Sequence, residues 1–210
     1  MPRPKQRTPE LREHVLHTAV TVLADDGVAS FTARRVAEGA STSVPAIYEL
    51  FGDKAGLVRE VYFEGFRRLG ARCLTLAATA DPRADLLVLI AVFRTFVREN
   101  PVLAQVMFTR PFADFNPGPD DMRATRSVRE FFVGRVQRCI DAGVIAGDAT
   151  DIAHVLLALA QGLSTQESAG WLGSTRASMN RRWALAFEAA LAGLSPDVSG
   201  PAGPGTSTPL

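Results

Sequence analysis

The sequence predicts an all-α protein of about nine helices, and three observations lead to that fold class. Apolar residues recur at helical spacing through nearly the whole chain. No stretch alternates convincingly between apolar and polar residues, as a half-buried strand would. Threonine, serine or aspartate precedes most of the apolar stretches, where it can cap a helix. With 210 residues, 47% of them hydrophobic and 21% charged, the chain can bury a substantial core.

The N-terminal part of the chain is predicted to form three helices in quick succession. They are expected at residues 8–26, 32–38 and 44–51. Thr8, Thr32 and Ser43 stand where an N-cap is needed, and their side-chain oxygens can accept a hydrogen bond from the first turn. Gly27 is expected to end the first helix.

A long fourth helix is predicted at residues 54–78, capped by Asp53, and it marks the boundary between two domains. Further helices are expected at residues 81–100, 101–108, 120–142, 150–170 and 174–194. Residues 109–119 contain three prolines and are expected to form a loop. The predicted domains are residues 1–53 and 54–194. A tail at residues 195–210, with four prolines and three glycines, is expected to be disordered.

The segment from Thr32 to Leu57 predicts a helix-turn-helix, because a short capped helix, a tight turn and a second capped helix follow one another. The second helix of such a unit can enter the major groove of DNA. Apolar residues on the two helices hold them together. The residues that the helical pattern leaves facing outward, toward DNA, are Ser43, Val44, Pro45, Ala46, Tyr48 and Glu49.

Over this segment and the residues around it, the chain resembles the TetR family of bacterial transcription regulators. The resemblance is specific over residues 8–60 and includes the phrase GVASFTARRVAEGASTSVPAIYELFGDKAGL. Tyr48, Phe51 and Lys54 have the characteristic spacing of the family's tyrosine, phenylalanine and lysine. Farther along, FVRENPVLAQVMF and LLALAQGLSTQESAGW look like segments of a common regulatory-domain subgroup. Ser41 stands where the family commonly has glycine in the turn, and Val44 where it often has lysine.

The resemblance implies a homodimer in which the last two helices of each subunit form a four-helix interface. It also implies a ligand cavity in the C-terminal domain. The chain is therefore expected to be a cytoplasmic transcription regulator, in particular a repressor that a small, mainly apolar effector releases from an inverted-repeat operator. Because a symmetric dimer presents two recognition helices, the double-stranded DNA site is expected to be symmetric as well.

The predicted DNA contacts include an N-terminal basic arm and basic residues flanking the motif. A solvated tail and a solvated helix face are the alternatives for these charges. The predicted DNA-binding residues are Arg3, Lys5, Arg7, Thr32, Arg34, Ser43, Val44, Pro45, Ala46, Tyr48, Glu49 and Lys54.

An effector cavity is predicted beside the long fourth helix, where aromatic and aliphatic residues at helical spacing can surround an apolar ligand. A filled core with no ligand is the alternative. The predicted ligand-binding residues are Tyr62, Phe66, Leu69, Phe93, Phe96, Met107, Phe132, His154, Gln161 and Thr165.

Other chemistry receives little support from the sequence. No nucleophile, phosphate-binding or dinucleotide fingerprint occurs, so neither an enzyme nor a cofactor is predicted. His14 with His17, and Asp151 with His154, lack further metal ligands, and no metal site is predicted. Arg135, Arg138 and the other arginines of their helix are expected to form a solvated face. No apolar stretch is long enough to span a membrane. An all-α interaction or enzyme-like protein without sequence-specific DNA binding remains the alternative function.

Overall fold

A computed structural model describes residues 8–109, 119 and 125–196. Within these ranges the chain forms nine α-helices and no strand, which confirms the predicted fold class. The helices are α1 (Pro9–Ser30), α2 (Ala33–Gly39), α3 (Val44–Phe51), α4 (Lys54–Leu74), α5 (Pro82–Glu99), α6 (Pro101–Phe108), α7 (Arg126–Asp141), α8 (Ala149–Ser168) and α9 (Arg176–Gly193).

The predicted caps are all present at the first four helices. The hydroxyl oxygens of Thr8, Thr32 and Ser43 each accept a hydrogen bond from a backbone N–H in the first turn, at 3.2–3.3 Å. Asp53 Oδ1 accepts one from Gly56 N at 2.7 Å. Because the first N–H groups of a helix have no partner within it, these bonds fix where each helix begins.

The observed helix bounds differ most from the predicted ones at α1, α4 and α7. α1 extends to Ser30, but Gly27 breaks it, as predicted, with φ 75° and ψ 174°, a non-helical conformation that favours glycine; a short helical stretch follows this kink. α4 ends at Leu74 instead of residue 78, because Arg135 on α7 donates hydrogen bonds to the carbonyls beyond it. α7 begins at Arg126, and residues 120–124 of its predicted range lie outside the described residues. Pro119, at the end of the predicted loop, is helical; the rest of that loop beyond residue 109 also lies outside them.

The nine helices share one hydrophobic core that runs from the N-terminal helices into the C-terminal ones. α1 packs against α2, α4 and α6, and α3 packs against α4. Farther along, α5 packs against α7 and α8, while α9 packs against α8. α4 therefore contacts both the helix-turn-helix and the helices of the C-terminal part.

A buried carboxylate holds the connection between α4 and α5 against α7. Asp85 lies 3.2 Å from Arg135 Nη1, and it also pairs with Arg138. Thr79 donates two further bonds to it, from its backbone N–H and its hydroxyl. These bonds, led by the Thr79 N–H, lower the pKa of Asp85 to about 2. The prediction of a solvated face was therefore wrong for Arg135 and Arg138. Arg135 is buried, and both arginines pair with Asp85, because a buried carboxylate is costly without a positive partner.

A second buried carboxylate joins α5, α8 and α9. Glu167 accepts hydrogen bonds from Arg94 Nε at 2.7 Å, from Arg94 Nη2 at 2.9 Å and from the indole N–H of Trp183 at 2.8 Å. Arg98 lies 3.7 Å from the same carboxylate. Burial alone would raise the pKa of Glu167, but the hydrogen bonds and charge of Arg94 outweigh it and lower that pKa.

Candidate nucleic-acid interface and effector cavity

The helix-turn-helix consists of α2, a turn and α3. Val36, Ala37 and Ile47 are buried between the helices. In the turn, Ser41 has φ 50°, and it is the non-glycine residue with positive φ in the described part of the chain. That conformation explains why the family commonly has glycine at this position, because a residue with a side chain is strained at positive φ. The turn is closed by a hydrogen bond from Thr42 N to Ala37 O at 2.9 Å.

One face of α3 points to solvent and carries Pro45, Tyr48 and Glu49. These positions are three and four residues apart, so they lie side by side on the helix. Tyr48 is 43% exposed, which is unusual for a large aromatic side chain in this chain. An exposed face on a helix of a helix-turn-helix is the part that can reach base edges.

Three other residues that were predicted to contact DNA, on α3 and at its cap, are less accessible to it. Ala46 is buried against the core, so its predicted outward position was wrong: it lies one position after Pro45, on another side of the helix. Val44 is half-buried and packs against the core. Ser43 is half-buried, and its hydroxyl oxygen already accepts the capping bond from Ala46 N.

The basic residues around the motif have acidic neighbours. Arg34 pairs with Glu38 at 2.9 Å, although the arginine side chain is 84% exposed. Arg35 donates two bonds to Asp26, and its closest contact there is 2.7 Å. Thr32 is exposed but caps α2. These pairs orient the arginines along the helix surface, and a phosphate would compete with a carboxylate for Arg34.

Lys54 and the N-terminal arm complete the predicted set. Lys54 is exposed at the first residue of α4, directly after the cap Asp53. Arg3, Lys5 and Arg7 lie outside the described residues. The structure therefore brings Thr32, Arg34, Pro45, Tyr48, Glu49 and Lys54 to the exposed surface of the motif.

An arginine on α1 that sequence reasoning missed contacts both α3 and α4. The Arg12 guanidinium on α1 lies 5.0 Å from the centre of the Phe51 ring at the end of α3. The same guanidinium pairs with Glu60 on α4 at 2.8 Å. A cation over an aromatic ring is attracted to it, so Arg12 joins three helices at one point. Arg12 lies three residues before the buried Val15, so helical spacing places both on the same side of α1. This spacing was the available signal that Arg12 faces other helices.

A cavity of about 170 Å³ lies between α4, α5, α7 and α8, and we call it the apolar cavity. Six of the predicted ligand-binding residues line it. They are Tyr62, Phe66, Leu69, Phe93, Phe132 and His154. Sequence reasoning missed Phe108, Thr125, Val128, Arg129, Val133, Ala153 and Leu157. Most of them lie on α7 and α8, beside the predicted Phe132 and His154, and only the packing of these helices against α4 and α5 brings them to the same space.

The remaining four predicted ligand residues lie elsewhere. Phe96 is fully buried in the core, and Arg72 stacks on its ring at 5.4 Å. Met107 packs against Gly65, where an added Cβ would lie 2.4 Å from its sulfur, so the close approach of α4 and α6 keeps Met107 out of the cavity. Gln161 and Thr165 line a different cavity of about 470 Å³ between α5, α6 and α8, which we call the serine cavity.

Two family models match the chain. Residues 15–61 match the model described as bacterial regulatory proteins, tetR family. Residues 86–193 match the tetracyclin repressor-like, C-terminal domain. The chain belongs to the TetR family. It is a transcriptional regulator with a helix-turn-helix DNA-binding domain, and regulators of this family are generally non-enzymatic DNA-binding proteins.

Solved structures share this fold over nearly the whole chain. A protein with unknown function from Rhodococcus sp. RHA1 is 25% identical, with a TM-score of 0.77 over 92% of this chain and 100% of that one. The TetR family transcriptional regulator PfmR from Thermus thermophilus is 18% identical, with a TM-score of 0.63 over 87% and 99% of the two chains. A TetR variant from Acinetobacter baumannii AYE in complex with minocycline is 19% identical, with a TM-score of 0.60 over 85% and 93%. The comparison with curated proteins found no match.

The helices predicted to form the dimer interface are α8 and α9, and only part of their apolar surface is buried within the subunit. Trp183 and Phe187 on α9 are buried, as is Leu156 on α8. Val155 on α8 and Leu185 on α9 are 60% and 69% exposed. Both helices therefore keep an apolar side chain at the surface, which is compatible with a contact to a second subunit.

Neither a metal cluster nor a membrane span is found in the part of this TetR-family chain that the structure describes. No group of three or more potential ligands converges there, and His154 instead places its Nδ1 2.7 Å from the carbonyl oxygen of Thr150. None of the described helices is both long and apolar enough to cross a bilayer.

Proposed function

We propose that this TetR-family regulator is a homodimeric repressor that binds an inverted-repeat operator and is released from it by a small, mainly apolar effector. The observation that carries this function is the course of α4. The helix begins at Lys54, directly after the recognition helix α3, and its side chains Tyr62, Phe66 and Leu69 line the apolar cavity. One rigid element thus joins the surface that would contact DNA to the cavity that would hold the effector.

DNA recognition is assigned to the exposed face of α3 and the residues beside it. Pro45, Tyr48 and Glu49 approach the major groove, and the Tyr48 hydroxyl can donate a hydrogen bond to a phosphate or a base edge. Lys54 lies at the edge of this face and contributes a phosphate contact that does not depend on base sequence. Arg34 can exchange Glu38 for a phosphate, and the basic arm at residues 3–7 adds charge in the minor groove.

Release by an effector requires two positions of α4. A ligand shifts the balance between them only by its difference in affinity for the two. The lining of the apolar cavity is mostly aromatic and aliphatic, and it favours an apolar or aromatic molecule with few polar groups. Tilting α4 would change the separation of the two recognition helices in a dimer, and this separation must match the spacing of the operator half-sites.

The same course of α4 suggests the domain division. Residues 1–53 form the DNA-binding domain, residues 54–194 form the regulatory and dimerisation domain, and residues 195–210 form a dispensable tail. Ser195 and Pro196 are the residues of that tail within the described part of the chain.

The test is fluorescence anisotropy with a labelled duplex from the region upstream of the protein's own gene. Tyr48→Ala is expected to weaken specific binding about 10–100-fold, because each of the two subunits loses one contact worth about 1 kcal/mol. Leu74→Ala, at the far end of α4 and 79% exposed, is the control and is expected to leave affinity unchanged. No specific binding by the wild type would favour the rival function of an interaction protein, whereas equal specific binding by Tyr48→Ala would refute the contact assigned to Tyr48.

Effector release is tested in the same assay with a panel of small uncharged aromatic compounds. At least one compound is expected to dissociate the wild-type complex. Val133→Phe, which enlarges a half-buried residue of the apolar cavity, is expected to bind the duplex normally and to resist release. Release that is equal in wild type and Val133→Phe would place the effector elsewhere.

A further inference from the structure

The serine cavity is larger than the apolar cavity and differs from it in chemistry. Its volume is about 470 Å³ against about 170 Å³. The described residues that line it include no charged side chain. Its polar side chains are Gln105, Thr109, Gln161, Ser164, Thr165 and Ser168. A cavity with this lining suits a molecule that forms hydrogen bonds but carries no net charge, because an ion there would lack a counter-charge.

Ser164 is the observation that points to a ligand. Its side chain lines the cavity, the residue is only 6% exposed, and among the described residues its hydroxyl is the one buried side-chain polar atom that has no hydrogen-bond partner. Three threonines in helices of this chain donate to the carbonyl four residues earlier. They are Thr18, Thr21 and Thr165. Ser164 forms no such bond, although a buried hydroxyl without a partner costs free energy.

The cavity also offers an apolar surface for a ring. Phe93, Val97 and Phe108 form part of its wall. Phe93 and Phe108 line the apolar cavity as well, and their ring centres are 5.5 Å apart, so this pair separates the two cavities. A molecule that reaches Ser164 would therefore lie against aromatic rings on one side and against the amide side chains of Gln105 and Gln161 elsewhere.

We propose that the serine cavity is a second ligand site, which takes an uncharged ring compound with a hydroxyl or carbonyl group bound to the Ser164 hydroxyl. The site itself does not depend on DNA binding, whereas its regulatory consequence rests on the proposed function. That consequence follows from Phe108, whose ring lies 5.9 Å from Phe66 on α4. A ligand that moves Phe108 would change the packing of α4 at Phe66.

The test is isothermal titration calorimetry of the full chain without DNA. The probes are β-naphthol, naphthalene and β-naphthoate, which share one ring system and differ in their polar group. Val133→Phe blocks the apolar cavity, so binding that remains in this variant belongs to another site. β-naphthol is expected to bind Val133→Phe in preference to both the hydrocarbon and the carboxylate.

Ser164→Ala and Ser164→Leu in the Val133→Phe background locate the site. Ser164→Ala is expected to weaken β-naphthol binding about five- to tenfold, because one hydrogen bond is lost, and to leave naphthalene binding unchanged. Ser164→Leu fills the cavity and is expected to abolish β-naphthol binding. The thermal midpoint of Ser164→Ala is expected to equal or exceed that of its parent, because alanine removes a hydroxyl that has no partner in the folded protein.

Two results would overturn the second site. One is the absence of β-naphthol binding to Val133→Phe up to the solubility limit, which indicates a cavity that holds only water. The other is unchanged β-naphthol affinity in Ser164→Ala. Binding that depends on Ser164 in a protein that fails to bind its upstream duplex would keep the site and refute the repressor function, so the two failures are distinguishable.

Discussion

The Glu167 cluster is expected to contribute far more to stability than an ion pair of similar length at the surface. The Glu167 and Arg94 side chains are 8% and 14% exposed and lie 2.7 Å apart. Glu167→Gln keeps the size of the side chain but leaves the Arg94 charge in a buried place without its carboxylate. Breaking a buried pair in this way costs about 3–5 kcal/mol. We expect the lower end, about 3 kcal/mol, because Arg94 keeps Asn180 Oδ1 at 2.8 Å and the Trp183 ring at 4.9 Å.

The surface pair of Arg34 and Glu38 is the matched comparison. Its nitrogen and oxygen are 2.9 Å apart, but the side chains are 84% and 51% exposed. Water screens this pair, and exposed pairs four residues apart on a helix contribute about 0.3–0.5 kcal/mol. For a domain of this size, 1 kcal/mol shifts the thermal midpoint by about 2–4 °C. Glu167→Gln is therefore expected to lower it by about 6–12 °C, and Glu38→Gln by about 1 °C.

A double-mutant cycle isolates the pair. Arg94→Met and Glu167→Gln are measured singly and together, by chemical denaturation at one fixed protein concentration, because unfolding of a dimer depends on concentration. The double variant is expected to be more stable than the sum of the two single effects by at least about 2 kcal/mol, since it contains no unpaired buried charge. Additivity within about 0.5 kcal/mol would refute the reasoning that the burial of this pair determines its contribution.

Three further predictions concern charge, pH and assembly. Lys54→Ala is expected to weaken binding to every DNA sequence by a similar factor and to reduce the salt dependence of affinity, whereas Arg126→Ala, an exposed charge on α7, leaves both unchanged; an identical salt slope for Lys54→Ala would contradict the phosphate contact. Because the pKa of Asp85 is lowered from 3.8 to about 2, its stabilisation is complete above about pH 5 and lost as pH falls toward 2; the thermal midpoint of wild type is expected to fall more steeply through that range than that of Asp85→Asn, which keeps only the other paired carboxylates such as Glu167. Light scattering is expected to give a dimer for wild type and a monomer for Leu185→Glu; a wild-type monomer at micromolar concentration would exclude the proposed dimer.

The sequence was sufficient to predict those elements that depend only on residues close together in the chain. The caps Thr8, Thr32, Ser43 and Asp53 were predicted because a helix start needs an oxygen within one turn of itself, so neighbouring residues determine it. The bounds of α3 followed for the same reason, whereas the start of α6 followed from Pro101, which suits the first position of a helix. The helix-turn-helix was predictable because its caps, turn and apolar positions all lie within about one short segment.

The sequence by itself thus determined an all-α chain, the place of its DNA-binding motif and most of one cavity wall on α4. Only the tertiary structure decided the rest, because it depends on residues far apart in the chain. The end of α4 is determined by Arg135 on α7, Met107 is kept from the cavity by Gly65 on α4, and Ala46 is turned away from DNA by the packing of α3. The pairing of Asp85 with two arginines of α7 is equally non-local. Helical periodicity reports that a side chain is buried or exposed, but the packing of other helices selects which residues it meets.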